Sequence, residues 1–245
     1  RSSDLLKNSE INSLLPLQHC KNLETLHLAT EYDQAPLPLS SLDGLQHCTQ
    51  LRELYINKAN LTDTTALIDL EFLKIIELRS AVLEKLHLPK NVKQLTKLNL
   101  EYCSKLHEFS DAEFAESLSW LDLSGTAIKS FPYFRGVKSI PSLRLNNCSS
   151  LVDFKGMRDL NSIYMSYRKL EFNGCYNLQN IDDLLVLAKN CLKLDIKKIP
   201  KPIKMNNLKT IELLKVEDLD GIEQFTELEE IIMSSYNDVA PVSSL

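Results

Sequence analysis

Leu118, Leu121, Leu123, Thr126 and Ile128 stand at a spacing, L-x-x-L-x-L-x-x-T-x-I, that returns along nearly the whole chain. Neither the 3.6-residue period of a helix nor the two-residue period of a strand explains it. Aligning the first leucine or isoleucine of each short apolar-x-apolar strand gives positions 26, 54, 76, 98, 121 and 143, in steps of 28, 22, 22, 23 and 22 residues. A repeat of this length marks a chain built from stacked supersecondary units. Residues 17–26 and 45–54 share even their approach, each opening Leu-Gln-His-Cys with leucines at the same later offsets, which points to internal duplication.

After Leu143 the register loosens. Ile163 and Met165 arrive 20 residues on, and Leu170 and Phe172 only seven after that, too few for a strand, a return path and another strand. Residues 157–175 therefore form an irregular unit. Leu170–Phe172 is favoured as its strand, because Cys175 and Leu178 then fall where Cys148 and Leu151 fall in the preceding unit. Strands at Leu192/Leu194, Ile211/Leu213 and Ile231/Met233 follow, giving ten units, or eleven if both candidates count.

Each unit exposes a row of leucines that it cannot bury alone, so neighbours must stack, and three or more units are needed for stability. Parallel strands ~4.8 Å apart would then line the inside of a curved coil. Between strands the chain returns along the outer side. Ser110 to Glu113, followed by Phe114, reads as a capping box opening a short helix, and residues 63–70 and 181–188 have helical spacing. Where proline intervenes, at Pro89, Pro132, Pro200 and Pro202, an extended or tight-turn return is expected.

Nearly all of the chain resembles leucine-rich-repeat proteins, most closely the irregular intracellular ones. Residues 121–128 and 143–151 are similar to repeats in plant intracellular immune receptors and in effectors that bacterial pathogens deliver into host cells. The resemblance implies an α/β solenoid, a single domain over 1–245 of about ten repeats, with a parallel sheet on the concave face and short helices or turns on the convex face. It also implies that Cys103, Thr126, Cys148 and Cys175 point inward and donate hydrogen bonds to carbonyls of the turn. Ala59 and Ala81 occupy the same position without a donor, so those turns must be satisfied differently. By the same resemblance the chain is a non-catalytic protein-binding module. The first expectation is a bacterial effector that inhibits or redirects a host protein or a companion enzyme. The alternative is the sensing region of an immune receptor or of a ubiquitin-ligase substrate receptor.

Composition narrows the remaining classes. A formal charge of −5 argues against general affinity for phosphate backbones, so nucleic acid is not an expected partner. No apolar run approaches the ~18–20 residues that span a bilayer. The chain opens at Arg1 without an apolar leader and reads as a fragment. Its six cysteines fall about one per repeat instead of clustering in terminal caps, which favours a reducing, intracellular compartment, in the effector reading the host cytoplasm. No C-x-x-C, H-E-x-x-H or P-loop occurs, and six glycines are few for a nucleotide cradle, so neither cofactor nor metal is expected. Cys103 and His107 have the spacing of a thiol and its base, but an inward thiol lacks the exposure that chemistry needs. Seven lysines against one acid in residues 189–209 precede eight acids against one lysine in residues 210–230. A solvated outer face accounts for such a run, and a bipolar end that orients a charged partner is the sharper reading.

Because side chains alternate across a strand, the residue between the two core positions points into the concave face. That column is His27, Tyr55, Glu77, Asn99, Asp122, Arg144, Glu171, Lys193, Glu212 and Ile232, and flanking columns add Glu53, Asn57, Arg79, Lys97, Glu101, Trp120, Asn146 and Tyr164. The candidate protein-binding residues are Tyr55, Glu77, Arg79, Asn99, Glu101, Trp120, Asp122, Arg144 and Tyr164. Trp120, the only tryptophan, is expected on the inner sheet near Arg144, and Trp, Tyr and Arg dominate interface energetics. Ten strands give an inner arc of ~45 Å, enough for one protein partner on an otherwise monomeric chain.

Overall fold

The computed structural model describes residues 11–30, 35–116, 118–160, 162–163, 170–184, 191–195, 198–199, 208–214 and 216–234. Six inner strands pair in parallel: Thr25–Ala29, Glu53–Asn57, Ile75–Leu78, Lys97–Asn99, Trp120–Asp122 and Ser142–Arg144. Their register sets core residue on core residue, Leu26 opposite Leu54, then Ile76, Leu98, Leu121 and Leu143. A second parallel sheet holds Leu170–Phe172, Cys191–Asp195, Thr210–Leu214 and Glu230–Ser234.

The pattern works because alternation sends leucines to one side only. Along Thr25–Ala29 and Glu53–Asn57 every second residue is buried. The buried side chains join those of the return segments in one apolar cluster running from Leu14 to Phe225. Leu54, Ile76, Leu98 and Leu121 are wholly inaccessible, and each such side chain contributes about 1.5–3 kcal/mol by leaving water.

The outer side carries much less helix than the sequence suggests. The described return segments use short 3₁₀ turns, among them Leu45–His47, Thr65–Leu67 and Lys155–Met157, and two-residue strand pairs. The helix expected from Ser110 is replaced by Glu113–Phe114, a strand paired with Asn91–Val92. Ser110 does not cap its own segment; its hydroxyl accepts the Leu88 N–H of the preceding turn at 2.7 Å. Of the other two helical readings, Thr65–Leu67 supplies one 3₁₀ turn, and residues 182–184 are helical within a stretch described only to 184.

The expected ten repeats also need correction, to about seven turns. A turn is an inner strand together with a return layer stacked on its neighbour. Among the described residues seven strands have both, the last being Leu170–Phe172, whose return segment donates Gln179 N–H to the Val152 carbonyl at 2.9 Å. In the irregular unit the strand is Leu170–Phe172, as favoured. Its Leu170 pairs with Leu192, whereas Ser162–Ile163 pairs with Ser139–Ile140 in a separate short sheet. The two large sheets are stitched by Asn147 N–H donating to Asn173 O at 2.6 Å, and by Phe154 and Phe172 with ring centroids 5.0 Å apart.

Inward donors close the turns as expected at four positions. Cys103 donates to Leu78 O at 3.3 Å, Cys148 to Leu123 O at 3.1 Å, Cys175 to Leu145 O at 3.1 Å, and Thr126 to Leu123 O at 2.7 Å. Position 81 is different. Ala81 is exposed and Ser80 takes the inward place, 1% accessible, its hydroxyl donating to Leu61 O at 3.0 Å. The turn therefore has its donor one residue earlier than the aligned spacing implies. Ala59 is buried as aligned and brings no donor.

At five turns the residue one slot before the aligned inward position is left-handed. Lys58, Tyr102, Gly125, Asn147 and Gly174 fill it with φ of 55°, 63°, 72°, 59° and 75°. Residues with a Cβ are strained there, so the slot is imposed by the turn and not chosen by the side chain.

Candidate functional site

Across the concave sheet the parallel register brings one row of polar side chains side by side. His27 and Tyr55 stack with centroids 4.1 Å apart, and the Tyr55 hydroxyl donates to Glu53 Oε2 at 3.3 Å. Burial first, then the Glu53 and Glu77 carboxylates, raise the Tyr55 phenol above its ordinary value, so it stays neutral and able to donate. Glu77, beside Tyr55, forms an ion pair with Lys97 on the next strand.

Trp120 lies opposite Lys97 on one side and Ser142 on the other. The Lys97 ammonium is 5.5 Å and the Arg144 guanidinium 4.6 Å from the Trp120 ring, within reach of the ring's negative face. Trp120 is half-buried, and its buried indole Nε1–H has no hydrogen-bond partner. Arg144 remains 54% exposed and approaches Asp122 at 3.9 Å.

Asp122 departs from its expected place on the open face, being 2% exposed. Its carboxylate accepts the Ser124 N–H at 2.9 Å, and Asn99 accepts the Glu101 N–H at 3.1 Å in the same way. Both side chains close the turn that ends their strand, which draws the Asp122 carboxylate inward. Glu212 of the same column is likewise buried, and Ile232 half-buried. Tyr164 and the side chains of Glu171 and Lys193 lie outside the described residues.

Arg79 and Glu101 form a second cluster, away from Trp120, at the rim where inner strands pass into the return path. They are ion-paired, and the guanidinium sits 5.7 Å from the ring centroid of Tyr102. Tyr102, 57% exposed, was not among the sequence candidates. Its left-handed φ swings it to the rim, and the only sequence signal was its place directly before an inward cysteine. A cavity of about 710 Å³ opens beside it, reaching back to Thr30.

The thiol-and-base reading of Cys103 and His107 fails on geometry. Cys103 is inaccessible and burial pushes its thiol up to about 11, while His107 Nδ1 pairs with the Lys105 carbonyl at 2.8 Å on the exposed side. Of the bipolar end, the described portion has Lys209 ion-paired with Glu229, so opposite charges there meet within the chain. No described helix is long and apolar enough to cross a membrane.

No protein-family model matches the chain. A probable disease resistance protein of Arabidopsis thaliana is 31% identical over 153 residues, which is 59% of this chain and 8% of that protein. The Arabidopsis thaliana protein SUPPRESSOR OF npr1-1, CONSTITUTIVE 1 is 33% identical over 106 residues, 42% of this chain and 7% of its own length. The chain thus spans less than a tenth of either relative. Among solved structures, a leucine-rich-repeat protein of Leptospira interrogans overlaps with a TM-score of 0.33 at 18% identity, covering 95% of this chain and 79% of that one.

Proposed function

We propose that the concave face of this chain, a leucine-rich-repeat solenoid, holds a protein partner and performs no chemistry of its own. Leucine-on-leucine register, inward thiols and hydroxyls on turn carbonyls, and the identity to two plant proteins carry the first half of that statement. The second half rests on one observation, the half-buried Trp120 ring held between the Lys97 and Arg144 cations on the concave sheet. A partner would cover the open part of the ring, and its carbonyl or carboxylate would meet the Arg144 guanidinium, which is 54% exposed. Aromatic and Arg groups that become fully desolvated are the ones that anchor interfaces. An open ribbed sheet offers area and does not enclose a small ligand.

The test compares Trp120→Ala and Arg144→Ala with Tyr133→Ala, a change of an exposed residue in a return segment. With far-ultraviolet circular dichroism unchanged, capture of one partner should fall by about 30-fold in affinity for each concave variant, the size of an interface anchor. Tyr133→Ala should retain it. Loss confined to Tyr133→Ala would refute the concave face.

Two biological settings suit such a module, a bacterial effector that restrains a host protein and the sensing region of an immune receptor. The sequence relatives favour the second, since both are plant proteins and one is described as a disease resistance protein. Binding of the purified chain to a pathogen-derived protein, with none to host proteins, is the expected outcome; the reverse pattern favours the effector.

A further inference from the structure

We propose that the concave face takes an arginine of its protein partner on the open face of the Tyr55 ring, with the guanidinium held by the Glu53 carboxylate. The proposal rests on the reading that this face holds a protein, and names one residue the partner must present, about 14 Å from Trp120 by three strand spacings.

A count of charges supplies the first argument. Along the first four inner strands the concave columns carry Glu53, Glu77, Arg79, Lys97 and Glu101. Glu77 is ion-paired with Lys97, and Arg79 with Glu101, which leaves Glu53. The adjacent Arg52 is turned to Glu24, at 3.9 Å. Among the described residues the Glu53 carboxylate has no ion pair and a single hydrogen bond, donated by the Tyr55 hydroxyl at 3.3 Å. A carboxylate offers two oxygens and about four acceptor sites, so a half-buried one used this sparsely is open to a donor fork.

Tyr55 selects the cation. His27 covers one face of its ring, with centroids 4.1 Å apart and planes inclined by 26°. The two residues sit opposite each other on adjacent strands, so the second face is turned toward the third strand, over Glu77. An aromatic face beside a carboxylate suits a planar guanidinium, which stacks and forks at once, better than a compact, strongly hydrated ammonium. Ile75, half-buried between Glu53 and Lys97 in the flanking column, offers an apolar floor for the methylene stem. Lys97 does not fill the place itself, being held by Glu77 and the Trp120 ring.

The experiment is an NMR titration of the whole chain, read at the Tyr55 ring and the Glu53 and Glu77 carboxyl carbons. The probes are acetyl-Ala-Arg-Ala-amide, the same peptide with neutral citrulline or with lysine in place of arginine, and agmatine, a free guanidinium. The arginine peptide should shift these signals saturably, and bind about tenfold more tightly than the citrulline peptide and about threefold more tightly than the lysine peptide. Its binding should bring the Tyr55 phenol, raised by burial first and then by Glu53 and Glu77, part of the way back down. Glu53→Gln should abolish the preference for arginine over citrulline, and Tyr55→Leu should weaken the arginine peptide about fivefold. Glu53→Arg should reverse the preference, so that acetyl-Ala-Glu-Ala-amide binds better than the arginine peptide. Circular dichroism matching wild type certifies each variant as folded. Equal binding of the citrulline peptide, or no shift at Tyr55 and Glu53, overturns the proposal. The lysine peptide binding as tightly overturns the choice of arginine, and agmatine binding as tightly overturns the peptide source and assigns the place to a free cation. A flat titration with capture lost in Trp120→Ala ends this inference and leaves the concave face standing. A saturable one with capture unaffected by Trp120→Ala ends the Trp120 anchor instead.

Discussion

Ser80→Ala should destabilise the chain although it removes a single oxygen, whereas Ala81→Ser should do almost nothing. The aligned spacing puts Ala81 inside and the structure puts Ser80 there, so this pair of variants tests the corrected register directly. Removing the Ser80 hydroxyl leaves the Leu61 carbonyl without the 3.0 Å donor it now has, in a place water does not reach. Orphaning a buried acceptor costs about 1–3 kcal/mol. A central value of about 2 kcal/mol lowers the midpoint of thermal unfolding by roughly 4–8 °C for a chain of this size. Ala81→Ser adds a hydroxyl in solvent and should stay within about 0.5 kcal/mol of wild type. Ser80→Cys restores a donor of the kind that Cys103 uses at 3.3 Å, and should recover part of the loss. Urea denaturation read by tryptophan fluorescence and by circular dichroism gives the midpoints, with m held common as the check on comparability. A neutral Ser80→Ala beside a costly substitution at 81 would refute the register.

Stability should also fall in alkali in a way traceable to one thiol. Burial holds folded Cys103 at about 11 against an ordinary 9.0, so the folded state keeps a proton that the unfolded state releases. The contribution is complete below pH 9 and disappears as pH rises toward 11, by up to about 3 kcal/mol over that span. Urea midpoints between pH 8 and 11 should show that slope, and Cys103→Ala should flatten it. Under native conditions a thiol reagent should label exposed Cys20 at once and Cys103 only at the rate of unfolding, as peptide mapping would show. Gly44→Ala should be among the most damaging single changes, since φ is +109° and an added Cβ would lie 2.3 Å from the Leu14 carbonyl oxygen. A loss above about 2 kcal/mol, read from the urea midpoint, is expected for backbone strain combined with overpacking.

The stacked architecture was legible because one physical demand, burial of a leucine row, repeats at nearly constant intervals. Leu26, Leu54, Ile76, Leu98, Leu121 and Leu143 could be aligned by eye, and all six pair in that register. The return path was not legible. Ser110 has the sequence context of a helix cap, but its oxygen is bonded to the neighbouring turn 22 residues back, and no local pattern records a partner so distant. The same limit hid the Asp122 carboxylate, which alternation sends outward and a two-residue turn pulls back. Trp120 and Arg144 were readable as neighbours because adjacent parallel strands fix their separation. The rim was not readable, because Tyr102 and Lys58 owe their direction to a left-handed backbone that their own identities disfavour.

Several of the bonds that close the turns reach the adjoining coil: Cys148 to Leu123, Cys175 to Leu145, Ser80 to Leu61. Mechanical support is therefore handed only to the coil next door. A change in what one rung displays need not be renegotiated with rungs farther along, so such a ladder can be retuned to a drifting target by successive small edits, each judged against two neighbours alone.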